Sequence, residues 1–99
     1  MKKTFSLHDP VKADARVLDA IKHEVRKYVR REHRKPLPEG FNRLDFDCKV
    51  GASADDAAPV ALPDVSAALD AVARAGGPAV YIEIASRPAQ RLSTRTATR

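Results

Sequence analysis

Seven basic residues lie within the fourteen positions from residue 22 to residue 35, against two glutamates. They are Lys22, Arg26, Lys27, Arg30, Arg31, Arg34 and Lys35. Helical residues at i, i+4 and i+8 share one side, so Lys22, Arg26 and Arg30 form a cationic row. Guanidinium groups match the geometry of phosphate and carboxylate oxygens. This pattern is typical of a surface that binds RNA or DNA phosphates or an acidic protein, and also of a solvated helix face with no ligand.

Three carboxylates form a second group that could bind a ligand. Asp45 and Asp47 are two residues apart in an alternating segment and therefore point to the same side of a strand, and Glu83 lies on the outward side of another. Such oxygens are the ligands that divalent cations prefer. Lys2 and Lys49 offer a simpler interpretation as cross-strand ion-pair partners. We therefore expect no metal site and no cofactor.

The remaining reactive side chains do not combine into a catalytic site. His23 and His33 are separated by about 15 Å along a helix, at ~1.5 Å per residue, too far to share one ion. Lys27 occupies the position where an H-E-x-x-H zinc motif beginning at His23 needs its second histidine. Cys48 falls on the inward side of a strand, where we expect it to be buried and unreactive. The sequence therefore predicts no enzymatic activity.

The basic residues share their helix with an apolar stripe. Its members are Val17, Leu18, Ile21, Val25, Tyr28 and Val29. This spacing predicts one amphipathic helix over residues 13–35, beginning somewhere in 10–14 and ended by Pro36. Glu32 falls near the middle of the stripe. We expect the C-terminal end of the helix to extend past the edge of the sheet, so that Glu32 contributes little to stability.

Three segments alternate between apolar and polar residues and predict strands at 2–7, 44–50 and 79–85. Pro63 begins a shorter helix that Gly76-Gly77 ends, residues 51–59 are predicted to be a flexible connector, and Pro88 should stop the third strand. The order β-α-β-α-β predicts an α/β or α+β two-layer sandwich, with both helices on one face of a three-stranded sheet. Helical crossovers favour parallel strands, whereas the long connectors also permit antiparallel pairing.

Composition places the chain among globular proteins. Its 99 residues are 43% hydrophobic and 31% charged, which predicts one domain over residues 1–88, followed by a disordered basic tail over 89–99. The net charge of +5 arises in the first half, because residues 1–50 hold thirteen Lys and Arg against eight Asp and Glu. One cysteine, no apolar leader and no run long enough to cross a bilayer lead us to expect a cytoplasmic protein without a membrane partner.

Five stretches of the sequence are distinctive, namely MKKTF, AIKHEVRKYVRRE, RKPLPEG, DFDCKVG and YIEI. Together they resemble a family of small uncharacterised bacterial proteins of unknown function. The resemblance covers most of residues 1–88 and implies the organismal class and fold, but no activity or catalytic residues.

These observations lead to three functional hypotheses. The first is a non-catalytic module whose seven basic residues bind the RNA or DNA phosphate backbone. The second is a protein–protein adaptor that uses the same cations against an acidic partner. The third is a metal-dependent enzyme built on the sheet carboxylates. The oligomeric state stays open.

Overall fold

The computed structural model describes residues 1–90 of the chain as a mixed α+β fold. Its strands are β1 (Lys2–Ser6), β2 (Arg43–Gly51), β3 (Ala58–Val60) and β4 (Ala79–Ala89). Its helices are α1 (Asp14–His33) and α2 (Val65–Arg74), and a 3₁₀ turn at Leu62–Asp64 leads directly into α2. Of the tail predicted to be disordered, Ala89 belongs to β4, and residues 91–99 lie outside the described part of the chain.

The sheet has the strand order β1-β4-β2-β3, and every neighbouring pair is antiparallel. The expectation of three strands was wrong, because Ala58–Val60, within and just after the predicted flexible connector, pairs with Cys48–Val50. Strand direction was left open between parallel and antiparallel pairing, and the antiparallel alternative is the one observed. Both β1 and β2 run opposite to β4, so they share one direction, but β4 lies between them and pairs with each.

Both helices pack on the same face of this sheet. Val80, Ile82 and Ile84 of β4 are fully buried and meet one buried pair from each helix, which confirms the predicted inward side of that strand. The helix pairs are Ile21 and Val25 of α1, and Val65 and Leu69 of α2. Residues of the opposite parity, such as Lys2, Asp47 and Lys49, are exposed. The sheet therefore has one covered face and one face open to solvent.

β4 continues through Pro88, which the sequence predicted to end it. Ile84 exchanges backbone hydrogen bonds with Met1 on the β1 side of β4. Pro88 has the same parity as Ile84, so its nitrogen also faces the β1 side of β4. At Pro88 this side is unpaired, because the pairing with β1 ends before it. The proline consequently removes no hydrogen bond from the ladder with β2, in which it pairs with Leu44.

The length of β4 corrects a second expectation, concerning the end of α1. Because the sheet extends past Ala85, it lies beneath the last turn of α1, and the helix does not overhang it. Glu32 is accordingly buried, with 7% of its surface exposed. It accepts a hydrogen bond from the Ser86 hydroxyl at 2.6 Å and pairs with the Lys35 ammonium at 2.7 Å. These two contacts lower the pKa of Glu32, that of Lys35 more strongly.

We therefore expect Glu32→Gln to lower the melting temperature by about 5 °C at neutral pH, a clear loss for a chain of this size. Because the folded state lowers the pKa of Glu32, its stabilising effect is fully present above the ordinary value of 4.5 and is lost as the pH falls through the lowered pKa. The difference between wild type and variant should then shrink in acid. Thermal melts across pH measure this, with Glu24→Gln, at an exposed glutamate of the same helix, as the control. Equal effects of the two variants would contradict the prediction.

Cys48 is buried, as its strand parity predicted, with 4% of its surface exposed. Burial, reinforced by the neighbouring Asp47 carboxylate, raises the pKa of the thiol and so lowers the fraction of reactive thiolate. We expect an aromatic disulfide reagent to modify Cys48 slowly in the native protein and rapidly in guanidinium chloride. Native modification as fast as in the denatured chain would show that the β2 register is wrong.

Within residues 1–90, neither α1 nor α2 combines the length and the apolar character needed to cross a membrane.

Candidate binding groove beside the basic helix

An open groove of about 490 Å³ runs between α1 and the segment formed by the 3₁₀ turn and α2. Aliphatic side chains make up most of its surface, namely Val25, Val29, Leu62, Pro63, Val65 and Leu69. Polar and basic side chains border it, namely Lys22, Arg26, Arg30, His33 and Ser66. Three of the seven predicted site residues, Lys22, Arg26 and Arg30, therefore border a single apolar concavity.

Arg26 and Arg30 are the exposed cations of this border. Neither forms an ion pair with another residue in the 1–90 range. They are one helical turn apart, about 6 Å along the axis of α1 at ~1.5 Å per residue. Two unneutralised guanidinium groups thus lie on the same side of the groove, at a spacing that a regular secondary structure element of a partner can match.

Lys22 differs from the two arginines because its charge is used within the fold. Its ammonium lies 2.7 Å from the Asp70 carboxylate of α2, and its side chain is 18% exposed. This ion pair joins the two helices at one end of the groove. The predicted row Lys22, Arg26 and Arg30 is present geometrically, but only its two arginines offer free positive charge to a ligand.

Two further predicted site residues are paired with glutamates on α1. Lys35 lies 2.7 Å from Glu32, and Lys27 lies 3.8 Å from Glu24. The Lys27 contact is long and exposed, so it neutralises little charge, whereas the Lys35 contact involves a buried carboxylate. Lys35 is consequently part of the structure that anchors the end of α1.

Arg31 and Arg34 complete the predicted set and lie away from the groove. At 100° per residue Arg31 falls about 95° from the centre of the buried stripe, on the flank away from the groove, and Lys27 and Arg34 fall between Arg31 and Arg30. Arg31 and Arg34 are both exposed, and neither forms an ion pair with the described residues. The seven basic residues therefore form three groups. Lys22, Arg26 and Arg30 border the groove, Lys27, Arg31 and Arg34 form the outer face of α1, and Lys35 pairs with the buried Glu32 carboxylate.

Two carboxylates of the open sheet face, Asp45 and Asp47, are neutralised by arginines instead of the predicted lysines. The Arg87 guanidinium contacts Asp47 at 3.1 Å and Asp45 at 3.7 Å, and Arg43 contacts Asp45 at 3.0 Å. The hydrogen bond from Arg87 lowers the pKa of Asp47. Over residues 1–90, no three His, Cys, Asp or Glu side chains are grouped so that they could hold a metal ion.

Glu83, the third carboxylate, accepts a hydrogen bond from the Tyr81 hydroxyl at 2.9 Å, which raises the pKa of that tyrosine. Lys2 and Lys49 flank Glu83 in the strand register, as cross-strand neighbours. This arrangement is typical of a solvated sheet face with complementary charges.

The second wall of the groove was not predicted from the sequence. Pro63 was interpreted as the start of the shorter helix, and nothing in the local pattern of Leu62 and Pro63 indicates that they face α1. A weak signal existed in Val29, which extends the apolar stripe of α1 toward Arg26 and Arg30. When the apolar stripe of a helix is too broad for one sheet to cover, the uncovered part indicates a second contact surface.

Comparison with known proteins gives a family and no function. No curated protein and no solved structure shows a significant match to this chain. A family model described as a family of unknown function, DUF6172, matches residues 1–96. That range includes every strand and helix of the described residues and all the residues of the groove. The chain therefore belongs to the DUF6172 family, which confirms the expected membership of a family without assigned function.

Proposed function

We propose that this protein is a non-catalytic adaptor that binds an acidic segment of another protein along the groove beside α1. The observation that carries the proposal is the position of Arg26 and Arg30, which are exposed, unpaired within residues 1–90 and adjacent to an aliphatic concavity. A partner that places carboxylates against these arginines and apolar side chains in the groove satisfies both surfaces at once. Such combinations of an apolar centre and a charged border are typical of protein interfaces.

Binding to RNA or DNA stays a prediction with a narrower basis. Arg31 and Arg34 on the outer face of α1 could contact phosphates, since both are exposed and unpaired in the described residues. The groove itself does not suit a nucleic acid, because its surface is aliphatic and has none of the Phe, Tyr or Trp rings on which bases stack. The two functions therefore depend on different arginine pairs.

This division gives a test with a matched control. Arg26→Glu/Arg30→Glu reverses the charge of the groove border. Arg31→Glu/Arg34→Glu reverses the charge of the outer face of α1 and changes the net charge by the same amount. We expect the first variant to weaken partner binding at least tenfold, on the order of 1.4 kcal/mol, and the second to leave it within about twofold, because exposed charges away from an interface contribute little. Circular dichroism checks that both variants fold.

The partner is identified by photo-crosslinking from a benzophenone amino acid placed at Ser66, on the groove wall opposite the arginines. In nuclease-treated extracts of cells that naturally contain the protein, we expect one acidic protein to crosslink at Ser66, and the crosslink to be lost in Arg26→Glu/Arg30→Glu. Equal retention of that protein by the reversed variant would contradict the adaptor function.

The nucleic-acid alternative is measured by fluorescence anisotropy with labelled single- and double-stranded RNA and DNA at low salt. If it is correct, Arg31→Glu/Arg34→Glu should weaken binding more than Arg26→Glu/Arg30→Glu, and raising salt from ~50 to ~200 mM should weaken wild-type binding on the order of 100-fold for about four phosphate contacts. Binding of this kind without any protein crosslink at Ser66 would favour the nucleic-acid function over the adaptor.

A further inference from the structure

From the shape of the groove and the position of its charges, we infer that the partner's segment is a short amphipathic α-helix with acidic residues along the flank that faces α1. The inference rests on the proposed adaptor function and adds the conformation and the sequence pattern of the ligand. It comes from three features of the groove: its helical walls, its length and the placement of its cations on one side.

The walls of the groove determine the conformation of the ligand. Both are formed by side chains of helical segments, α1 on one side and the 3₁₀ turn with α2 on the other. Backbone groups inside helices bond within their own helix, so these walls offer no strand edge with which an extended peptide could pair. An extended ligand would bury unpaired backbone groups against aliphatic side chains, whereas a helical ligand satisfies its own.

The length of the groove sets the size of the ligand. Its α1 wall extends from Lys22 to His33, which is about 16 Å along the axis at ~1.5 Å per residue. A helix lying along this wall is covered over about three turns. Two or three apolar residues at i, i+4 and i+7 of the ligand then point into the groove, in the helix-in-groove mode used by many regulatory proteins.

The charges at the border of the groove determine the sequence pattern of the ligand. Arg26 and Arg30 border the α1 side, whereas the opposite side carries Pro63 and Ser66 and no cation. A ligand helix therefore places acidic residues one turn apart on the flank beside its apolar stripe. The unassigned segment 91–99 of this chain cannot supply them, because it contains three arginines and no acidic residue. A single-chain lipid carries its charge at one end, whereas these arginines are distributed along the groove.

The probe is a designed capped peptide of about four helical turns, with leucines at i, i+4 and i+7 and glutamates one turn apart on one flank. Its control has the same composition, with the glutamates moved to the face opposite the leucines. We expect the flank peptide to bind the full-length protein with a dissociation constant on the order of 10 μM, as suits a small transient interface, and the control to bind at least tenfold more weakly. Anisotropy measures affinity, and circular dichroism measures the helix content of each peptide.

Two protein variants locate the peptide. Ser66→Phe fills the groove and should reduce binding of the flank peptide at least tenfold, whereas Ala67→Phe, at an exposed α2 residue outside the groove, should leave it within about twofold. Arg26→Glu/Arg30→Glu should bind the lysine version of the peptide better than the glutamate version. This charge exchange distinguishes direct pairing from a general loss of folding.

Several results would overturn the inference. Equal binding of the flank and control peptides, or no effect of Ser66→Phe, would place the ligand elsewhere. Saturation of the groove by dodecanoate while the flank peptide fails to bind would assign it to an anionic lipid. Self-association abolished by Ser66→Phe would assign it to a second copy of the chain. If a natural acidic partner crosslinks at Ser66 through a non-helical segment, the adaptor function stands and the helical ligand is rejected. If no protein crosslinks at Ser66 of the chain with native Arg26 and Arg30, both are overturned.

Discussion

Leu69→Ala is expected to lower the free energy of unfolding by about 3–4 kcal/mol, within the range for large-to-small substitutions in protein cores. Leu69 is completely buried and lies where α2 meets both the sheet and the floor of the groove. Removing its side chain deletes apolar contacts and leaves a cavity that the helices and sheet cannot readily close. Because a domain of this size has only about 5–15 kcal/mol of stability, the melting temperature should fall by about 15 °C.

The measurement is urea denaturation followed by circular dichroism, with Leu37→Ala as the control. Leu37 is 37% exposed in the connector after α1, so the same chemical change there should cost less than about 0.5 kcal/mol. A loss below about 1 kcal/mol in Leu69→Ala would contradict the packing of α2 on the sheet.

Gly51→Ala should produce a loss of similar size, about 3 kcal/mol, at the upper end of the cost of overpacking. A Cβ atom at Gly51 would lie 2.6 Å from the Ala57 Cα and 2.7 Å from the Ala57 nitrogen and the Asp56 carbonyl carbon. These are backbone atoms of the turn that connects β2 to β3, so no side-chain rotation relieves the contact. The turn must move, and with it the pairing of Ala58–Val60 with β2.

Gly77→Ala is the matched control, since a Cβ there would meet only the Ala79 oxygen, at 3.9 Å. The same substitution at Gly77 should be neutral or stabilising by up to about 1 kcal/mol, because alanine restricts the unfolded chain. Chemical denaturation of both variants separates a local steric clash from a general effect of removing glycine. Equal stabilities of the two variants would show that the β2–β3 turn is not closely packed against Gly51.

The sequence predicted the elements whose periodicity is set by burial on one side. Alternation in 44–50 and 79–85 identified β2 and most of β4, and the apolar stripe around Ile21 and Val25 identified α1. β3 could not be predicted, because Ala58-Pro59-Val60 has no pattern of its own and becomes a strand only by pairing with β2. The extension of β4 past Pro88 could not be predicted either. A proline is tolerated there because its nitrogen faces the side of β4 that has no partner strand, and the sequence does not show which side that is.

Of the candidate site, the sequence indicated three basic residues of the border but not the groove beside them. The basic residues of α1 were identified from their charge and spacing, yet charge alone could not separate Arg26 and Arg30 from Lys22 and Lys35. That separation depends on Asp70 and Glu32, whose distances to the lysines are set by tertiary packing. The aliphatic wall at Leu62 and Pro63 is likewise a product of helix placement, so an apolar groove beside the cations was not foreseeable.

The strand order has a consequence for how the chain acquires its fold during synthesis. β4 is made after every other element of the 1–90 region, yet it is the only described strand that pairs with β1 and the one that joins β1 to β2. Until β4 leaves the ribosome, the emerging chain can form only the small β2–β3 ribbon and two helices whose apolar sides have no sheet to cover. Long-range pairing of this kind is slow to form and leaves apolar surface exposed in the meantime. We therefore expect the four-stranded sheet of the described region to form late, once β4 has been made, with the apolar sides of the helices exposed until then.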